Sequence, residues 1–371
     1  MLRIHSVLMV SVFISSFSCP SLHAQSIPPE EAPVLGENWS LSWISDGTQG
    51  PASTFGYAYI YDVAVSDDMS EVYILDGMAN TIWRLNPTTG EVLRSFGREG
   101  SGPGEFQSAY QITWASGGLW LADTGLNRLT RYSSSGDYEY SVNIQNFAVQ
   151  PIHKLIPYSD SQLLIHTQVV RRSASSYSVF VEITQGSGAV VPLVSLDQVF
   201  RTAPEKAVLN EESIVTRVIP LDSDRWILGF HSPPVLFTFT RNGTTEFTQL
   251  VDLSEIIDPC PDFQETRKAG MSACGISMME VEAGSNRLHV LVTRQDVSRT
   301  PDDYLHADTR AKEDYIFIVD STSGEVLEQR TVEFDEWSPR YWQPDRMLLL
   351  TGTIDDVPVL VRYDYRDVLR E

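Results

Sequence analysis

Histidine and cysteine are scarce in this chain, with seven and three among 371 residues. Basic residues are few as well: 27 Lys and Arg stand against 49 Asp and Glu, for a formal net charge of −22. A surface so acidic, with no basic stripe in the sequence, repels phosphate backbones and excludes nucleic acid as a partner. The acidity suits solubility better than a dedicated cationic ligand. Past the N-terminal segment no apolar run reaches the length of a bilayer span. No segment has the periodicity of a three-turn amphipathic helix, which leaves an all-β chain. Histidine scarcity also limits metal chemistry, since no HxxxH pair, Ser-His-Asp arrangement or clustered ligand pattern can be read from spacing.

The N-terminus carries the layout of a secretory signal. Met1, Leu2 and Arg3 precede an apolar stretch from Val7 to Ile14, and Leu22-His23-Ala24 supplies a small residue at the cleavage point. Cleavage near Ala24 makes residues 1–24 a signal peptide and residues 25–371 one exported domain, periplasmic or secreted. The alternative is lipid attachment at Cys19. Ser16 stands three positions before it, where a lipobox wants an aliphatic residue. Loss of residues 1–24 removes Arg3 alone and brings the balance to −23.

Two cysteines then remain, Cys260 and Cys274, inside one polar segment without histidine. In an oxidising compartment such a pair forms a disulfide before it forms a metal site. Closing a loop of that size contributes about 3 kcal/mol in the chain-entropy model.

What the sequence does contain is a repeat. Two segments read as gapless copies: Val63-Ala64-Val65, Val72 to Asp76 and Asn80 to Leu85 against Ile112-Thr113-Trp114, Leu119 to Asp123 and Asn127 to Tyr132. Asp76 matches Asp123, Asn80 matches Asn127 and Arg84 matches Arg131, at an offset of 47 residues. That spacing falls in the range of propeller blades. Weaker copies run over 154–194, 215–253, 276–332 and 341–365. The last lacks an outer strand, and the orphan stretch from Trp39 to Ile44 is available to supply it. The expectation is a six-bladed β-propeller whose ring is closed by the N-terminal strand pairing in the last blade.

Phe96-Gly97-Arg98-Glu99-Gly100-Ser101-Gly102-Pro103-Gly104-Glu105-Phe106 and Asp123-Thr124-Gly125-Leu126-Asn127-Arg128-Leu129 resemble two motifs of the NHL-type six-bladed propellers: the glycine-rich connection between blades and the aspartate-to-asparagine-arginine turn. The resemblance covers about residues 60–140. In the first copy Thr81 stands where Arg is expected, and the later copies lose both motifs. Exported bacterial propellers without known activity are similar overall. The resemblance implies a fold more than a function. It carries Asp76, Asn80, Asp123, Asn127 and Arg128 over as motif residues, with turn-building as their first role. The glycine-rich segment lacks the ending of a phosphate loop. Phe106 is expected to fill an apolar gap between blades.

Loop lengths separate the two ends of the sheets. With strands A to D from inner to outer, the A–B and C–D turns are all short. The excursions 197–213, 254–275 and 293–314 all belong to the other class, B–C loops or connections to the next blade. Insertions confined to one face mark a working surface. That face is expected to carry Asp76, Asn80, Asp123, Arg128, Arg171, Arg172, His231 and Arg294, with His166 near the end of a second strand. His289 is expected to pack inside a strand. The tryptophans and Tyr132 are expected to be sheet packing, and Asp302-Asp303 and Asp355-Asp356 solvated turns.

Two functions remain. The first is a non-catalytic scaffold, monomeric and without a resident cofactor, presenting this face to a protein, peptide or glycan. The second is a hydrolase or lyase with a divalent metal at the channel mouth, for which His166, His231, Asp76 and Asp123 are the weak ligand candidates.

Overall fold

The computed structural model describes residues 3–5, 39–40, 60–77, 79–87, 92–144, 152–159, 162–167, 178–184, 189–195, 215–222, 224–230, 233–241, 245–257, 274–282, 284–295, 312–333, 338–343, 347–354 and 357–363. Apart from a single 3-10 turn at Leu253–Glu255, every regular element among them is a strand.

The first sheet is β3 (Ile60–Val65), β4 (Val72–Asp76), β5 (Thr81–Leu85) and β6 (Val92–Phe96) in spatial order. The second is β7 (Ala109–Ala115), β8 (Gly118–Asp123), β9 (Arg128–Ser133) and β10 (Tyr138–Asn143). β11 (Ile152–Ser159) to β14 (Ala189–Ser195) form a third, with β12 at Gln162–Thr167 and β13 at Ser178–Thr184. β15 (Val215–Pro220), β16 (Arg225–Phe230), β17 (Val235–Arg241) and β18 (Thr245–Asp252) follow. Next come β19 (Cys274–Val281), β20 (Arg287–Gln295), β21 (Lys312–Asp320) and β22 (Val326–Glu333), with the short β1 (Arg3–His5) parallel to β22. The last sheet orders β2 (Trp39–Ser40), β25 (Val357–Tyr363), β24 (Met347–Ile354) and β23 (Ser338–Gln343). Each is an antiparallel meander of the propeller type, apart from the added β1 and β2.

Side-chain chemistry follows the position of the strand in its sheet. The second strands are apolar without alternation: β4 (VYILD) and β8 (GLWLAD) are buried at every residue. A strand covered on both faces needs no polar side. The outer strands β6 (VLRSF) and β10 (YEYSVN) are mostly exposed or half-buried. The hairpin between β7 and β8 turns through Ser116 (φ +52°) and Gly117 (φ +71°), the two positive angles of a type I′ turn.

The six-bladed ring closed by the N-terminal strand is corrected. The chain divides into two compact units, one of Met1–His23, Val199–Leu348 and Asp364–Glu371, the other of Ala24–Gln198 and Leu349–Tyr363. The closing strand expected from Trp39 to Ile44 is β2 among the described residues: two residues, with Trp39 opposite Leu360 and Ser40 opposite Val359. The rest of the expected strand, Leu41 to Ile44, lies outside the described residues. What the described residues establish is an all-β architecture of propeller-type sheets held in two units.

The gapless repeat is corrected too. Val63 pairs with Ile74 and Ile112 with Leu121, so the first strands stand 49 residues apart while the second strands stand 47 apart. The turn before β8 is therefore two residues shorter than the turn before β4.

Within the second unit, Tyr73, Leu75, Ile82, Phe96, Phe106, Leu119, Leu121 and Tyr132 form one buried cluster shared by the first two sheets. Trp120, Leu129, Leu155, Leu163 and Ile165 form the next, shared by the second and third. Ile227, Leu236, Ile276, Met279, Val290 and Phe317 centre the core of the other unit. Trp83, Trp120, Trp226 and Tyr132 are all buried, and His289 packs edge-on to Trp342 with ring centroids 5.8 Å apart. Phe106 is fully buried although it sits in a loop. Gly97 (φ +84°) makes room for it, since a Cβ there would lie 2.4 Å from the Phe106 ring. Phe106→Ala is expected to cost about 3–5 kcal/mol through the cavity it leaves. Urea unfolding checks this by a lowered midpoint with an unchanged slope.

Candidate functional site

The end of the second unit that gathers the B–C turns and the connections between sheets is built around one carboxylate. Asp123 closes β8 and is wholly buried. Its Oδ1 accepts from the Leu126 amide, three residues on, at 3.1 Å. The same carboxylate accepts from the amides of Gln107 (3.0 Å) and Ser108 (3.1 Å) in the preceding connection. One side chain thus fixes its own turn and ties that turn to the glycine-rich loop. Asn127 completes the turn at φ +52°, a left-handed conformation that asparagine tolerates.

Arg128 answers from the other side. Its guanidinium donates to the carbonyls of Ser101 (3.1 Å), Gly102 (2.9 Å) and Glu105. Asp123 therefore takes amides of the loop region while Arg128 takes its carbonyls. Glu105 locks the loop from within: Oε2 accepts from the Gly102 amide at 2.8 Å and Oε1 from Arg98 Nε at 2.7 Å. The Gly102 amide, and then Arg98, hold the Glu105 carboxyl below its ordinary value of 4.5. Tyr132 donates to the Gly104 carbonyl at 3.1 Å, and burial pushes its phenol up.

The first sheet keeps the frame in reduced form. Asp76 is buried, and its Oδ1 accepts from the Ala79 amide at 3.0 Å. Asn80 is again left-handed, at φ +49°.

Of the other candidates, His166 occupies the next-to-last position of β12, opposite Lys154 and Phe180. Arg294 is half-buried in β20, between Cys274 and Glu313. Cys274 is disulfide-bonded, and Cys260, its expected partner, lies outside the described residues. So do Arg171, Arg172, His231, Asp302, Asp303, Asp355, Asp356 and most of each long excursion. Among the described residues no group of three His, Cys, Asp or Glu side chains is placed to hold a metal ion. No helix among them is long and apolar enough to cross a membrane.

Sequence reasoning missed two residues at this end. Register shifts between Ile60 and Asp62 and between Ala109 and Gln111 make Tyr61 and Tyr110 the extra residues of β-bulges on the inner strands. A bulge re-aims its side chain. The two rings meet at a centroid distance of 5.1 Å and an angle of 38°, and Tyr110 is 43% exposed. Tyr61 lies over Gly77, where any Cβ would collide with its ring. The signal was present as two tyrosines 49 residues apart, hidden by an alignment held at 47.

These meanders and their shared cores define a protein of the β-propeller class. No family model matches the chain, and no curated protein does. It is similar to a member of the DUF4221 family from Bacteroides vulgatus at 9% identity and TM-score 0.51, over 83% of this chain and 92% of that one. It is also similar to a protein of Bacteroides fragilis inferred to be exported, at 13% identity and TM-score 0.45, over 80% and 88% of the two chains. The β-propeller domain of Cps50 from Myceliophteria thermophila gives 12% identity and TM-score 0.45, over 82% and 96%.

Asp123→Ala strands three amides and is expected to cost about 3 kcal/mol or more, read as a lowered urea midpoint. Glu105 predicts a pH effect. A carboxyl lowered in the fold contributes above its unfolded value and loses that contribution as pH falls through the folded one. Hydrogen-exchange protection of the Gly102 amide is therefore expected to persist at pH 4.5 and to be lost only below it, while Glu105→Gln removes this pH dependence.

Proposed function

We propose that this chain is an exported, non-catalytic propeller scaffold that binds a protein, peptide or glycan at the end of its sheets carrying the bulged inner strands and the glycine-rich loop. The observation that carries the reading is the Tyr61–Tyr110 pair. Two aromatic side chains are turned out of register at equivalent places, one of them left 43% exposed, on a frame that Asp123 and Arg128 hold rigid. Rigid, partly exposed aromatics anchor binding at low entropic cost, because the ring has few torsions to lose.

Support also comes from how the motif residues are spent. Asp123 and Arg128 bond backbone groups and so serve the frame, as the NHL-type resemblance implies for a turn motif. The reading takes the chain as periplasmic or secreted after cleavage near Ala24, monomeric, and without a resident cofactor.

The test is a screen of wild-type protein against peptide and glycan arrays, followed by titration of each hit against Tyr110→Ala. The expected result is a loss of about 30-fold in affinity, the scale of an aromatic anchor. The melting temperature is expected to change little, because this ring is exposed. Hits bound equally well by the variant, or an array with no hits at all, would overturn the reading.

A further inference from the structure

The fifth sheet, in the other compact unit, carries a hydrogen-bonded chain that the sequence did not announce. Thr293 near the end of β20 stands opposite Asp314 near the start of β21. Its hydroxyl donates to Asp314 Oδ1 at 2.6 Å. On the inner strand β19, the register shifts between Ile276 and Met278, so Ser277 is the extra residue of a bulge. The Ser277 and Thr293 hydroxyl oxygens are 2.6 Å apart.

The direction of this chain follows from proton counting. An ionised carboxylate only accepts, and a hydroxyl has one proton to give. Thr293 gives its proton to Asp314, so its oxygen must accept from Ser277. Ser277 then has no proton left for anything outside the chain. It presents lone pairs alone, polarised through Thr293 by a carboxylate that is 3% exposed. Ser277 itself is half-buried and sits at the bulge.

The geometry points to Ser277 as a ligand-contacting residue that accepts a hydrogen bond from a primary ammonium, as found on a lysine side chain or a peptide amino terminus. An acceptor with no proton of its own to give refuses carboxylates and phosphates, which bring none and meet the charge of Asp314. An ammonium brings three donors and a complementary charge, in a chain whose net charge is −22. Thr293 and Asp314 act as positioning residues: they fix which way the Ser277 proton points. The inference rests on the scaffold reading and adds to it the chemical class of one contact.

Two measurements test it. Neutron diffraction on the full chain reads the Ser277 hydroxyl directly. The expected deuterium lies between Ser277 and Thr293, and one pointing to solvent overturns the proposal. The second uses a panel of lysine-bearing peptides in four forms, with the α-amine and ε-amine each free or acetylated. Wild type is expected to bind the panel, and acetylation of the contacting amine to weaken binding about tenfold, which also tells the two sources apart. Ser277→Ala, a small change at a half-buried site, is expected to lose about tenfold on the free amine and nothing on the acetylated one. Asp314→Asn, checked for folding by circular dichroism, is expected to follow it. Equal binding of free and acetylated peptides, or of wild type and Ser277→Ala, overturns the ammonium contact. A chain that binds array hits through Tyr110 but no amine peptide overturns this inference and leaves the scaffold reading standing. A chain that binds nothing on either screen overturns both.

Discussion

The buried Asp123 carboxylate is the constraint on which the described end of the second unit depends. A charge out of water is costly unless it is hydrogen-bonded. Here three amides meet that demand, from Gln107, Ser108 and Leu126. Those amides come from two separate segments, so the carboxylate sets their spacing. The turn cannot move without the connection, nor the connection without the turn. Arg128 reinforces the arrangement by gathering carbonyls of the same loop, and Glu105 closes the loop on itself.

The opposite end of the same sheets is fastened differently. Arg131 on β9 reaches the carbonyls of Ala115 (3.1 Å) and Ser116 (2.8 Å), binding the third strand to the hairpin of the first two. Its partner in the repeat, Arg84, is engaged instead by Glu71, which also accepts from Tyr73. Burial and the neighbouring Glu71 push the Tyr73 phenol up, so it keeps its one proton, which Glu71 shares with the Ser134 carbonyl of the next sheet, 3.0 Å from the phenol oxygen. One repeated arginine thus secures a hairpin in two ways, and the first of the two sheets adds a link to the second.

This difference between ends explains what the sequence could and could not disclose. Asp76, Asp123 and Arg131 bond backbone groups, which are the same in every copy, Asn80 and Asn127 take the left-handed position of the same turn, and with Arg84 they recur at one spacing. Such residues are visible to an alignment. Tyr61 and Tyr110 were not, because a two-residue change in the hairpin that follows each of them moved them out of the offset that the charged residues obey. Ser277, Thr293 and Asp314 were still harder to see. They lie on three strands, 16 and 21 residues apart, and no periodicity links a bulged serine to a threonine and an aspartate that bounded a long excursion. The strands were legible from apolar runs. The extent of the closing strand was not, since pairing is decided by backbone ladders, and among the described residues Trp39 and Ser40 supply that ladder.

A general consequence concerns where a repeat protein keeps its specificity. The inner strands β3, β7, β11, β15 and β19 each carry a register shift at their second to fourth residue, placing Tyr61, Tyr110, His153, Thr216 and Ser277 in the bulged position. The backbone irregularity repeats, while the side chain at it does not. A position whose backbone geometry is retained while its residue type changes is not held to one side chain, as Asp123 and Asn127 are by their turn. The residues that match between copies are therefore the poorer guide to binding in this chain. The better guide is the bulge near the start of each of these five strands, where the backbone irregularity is kept and the residue at it varies.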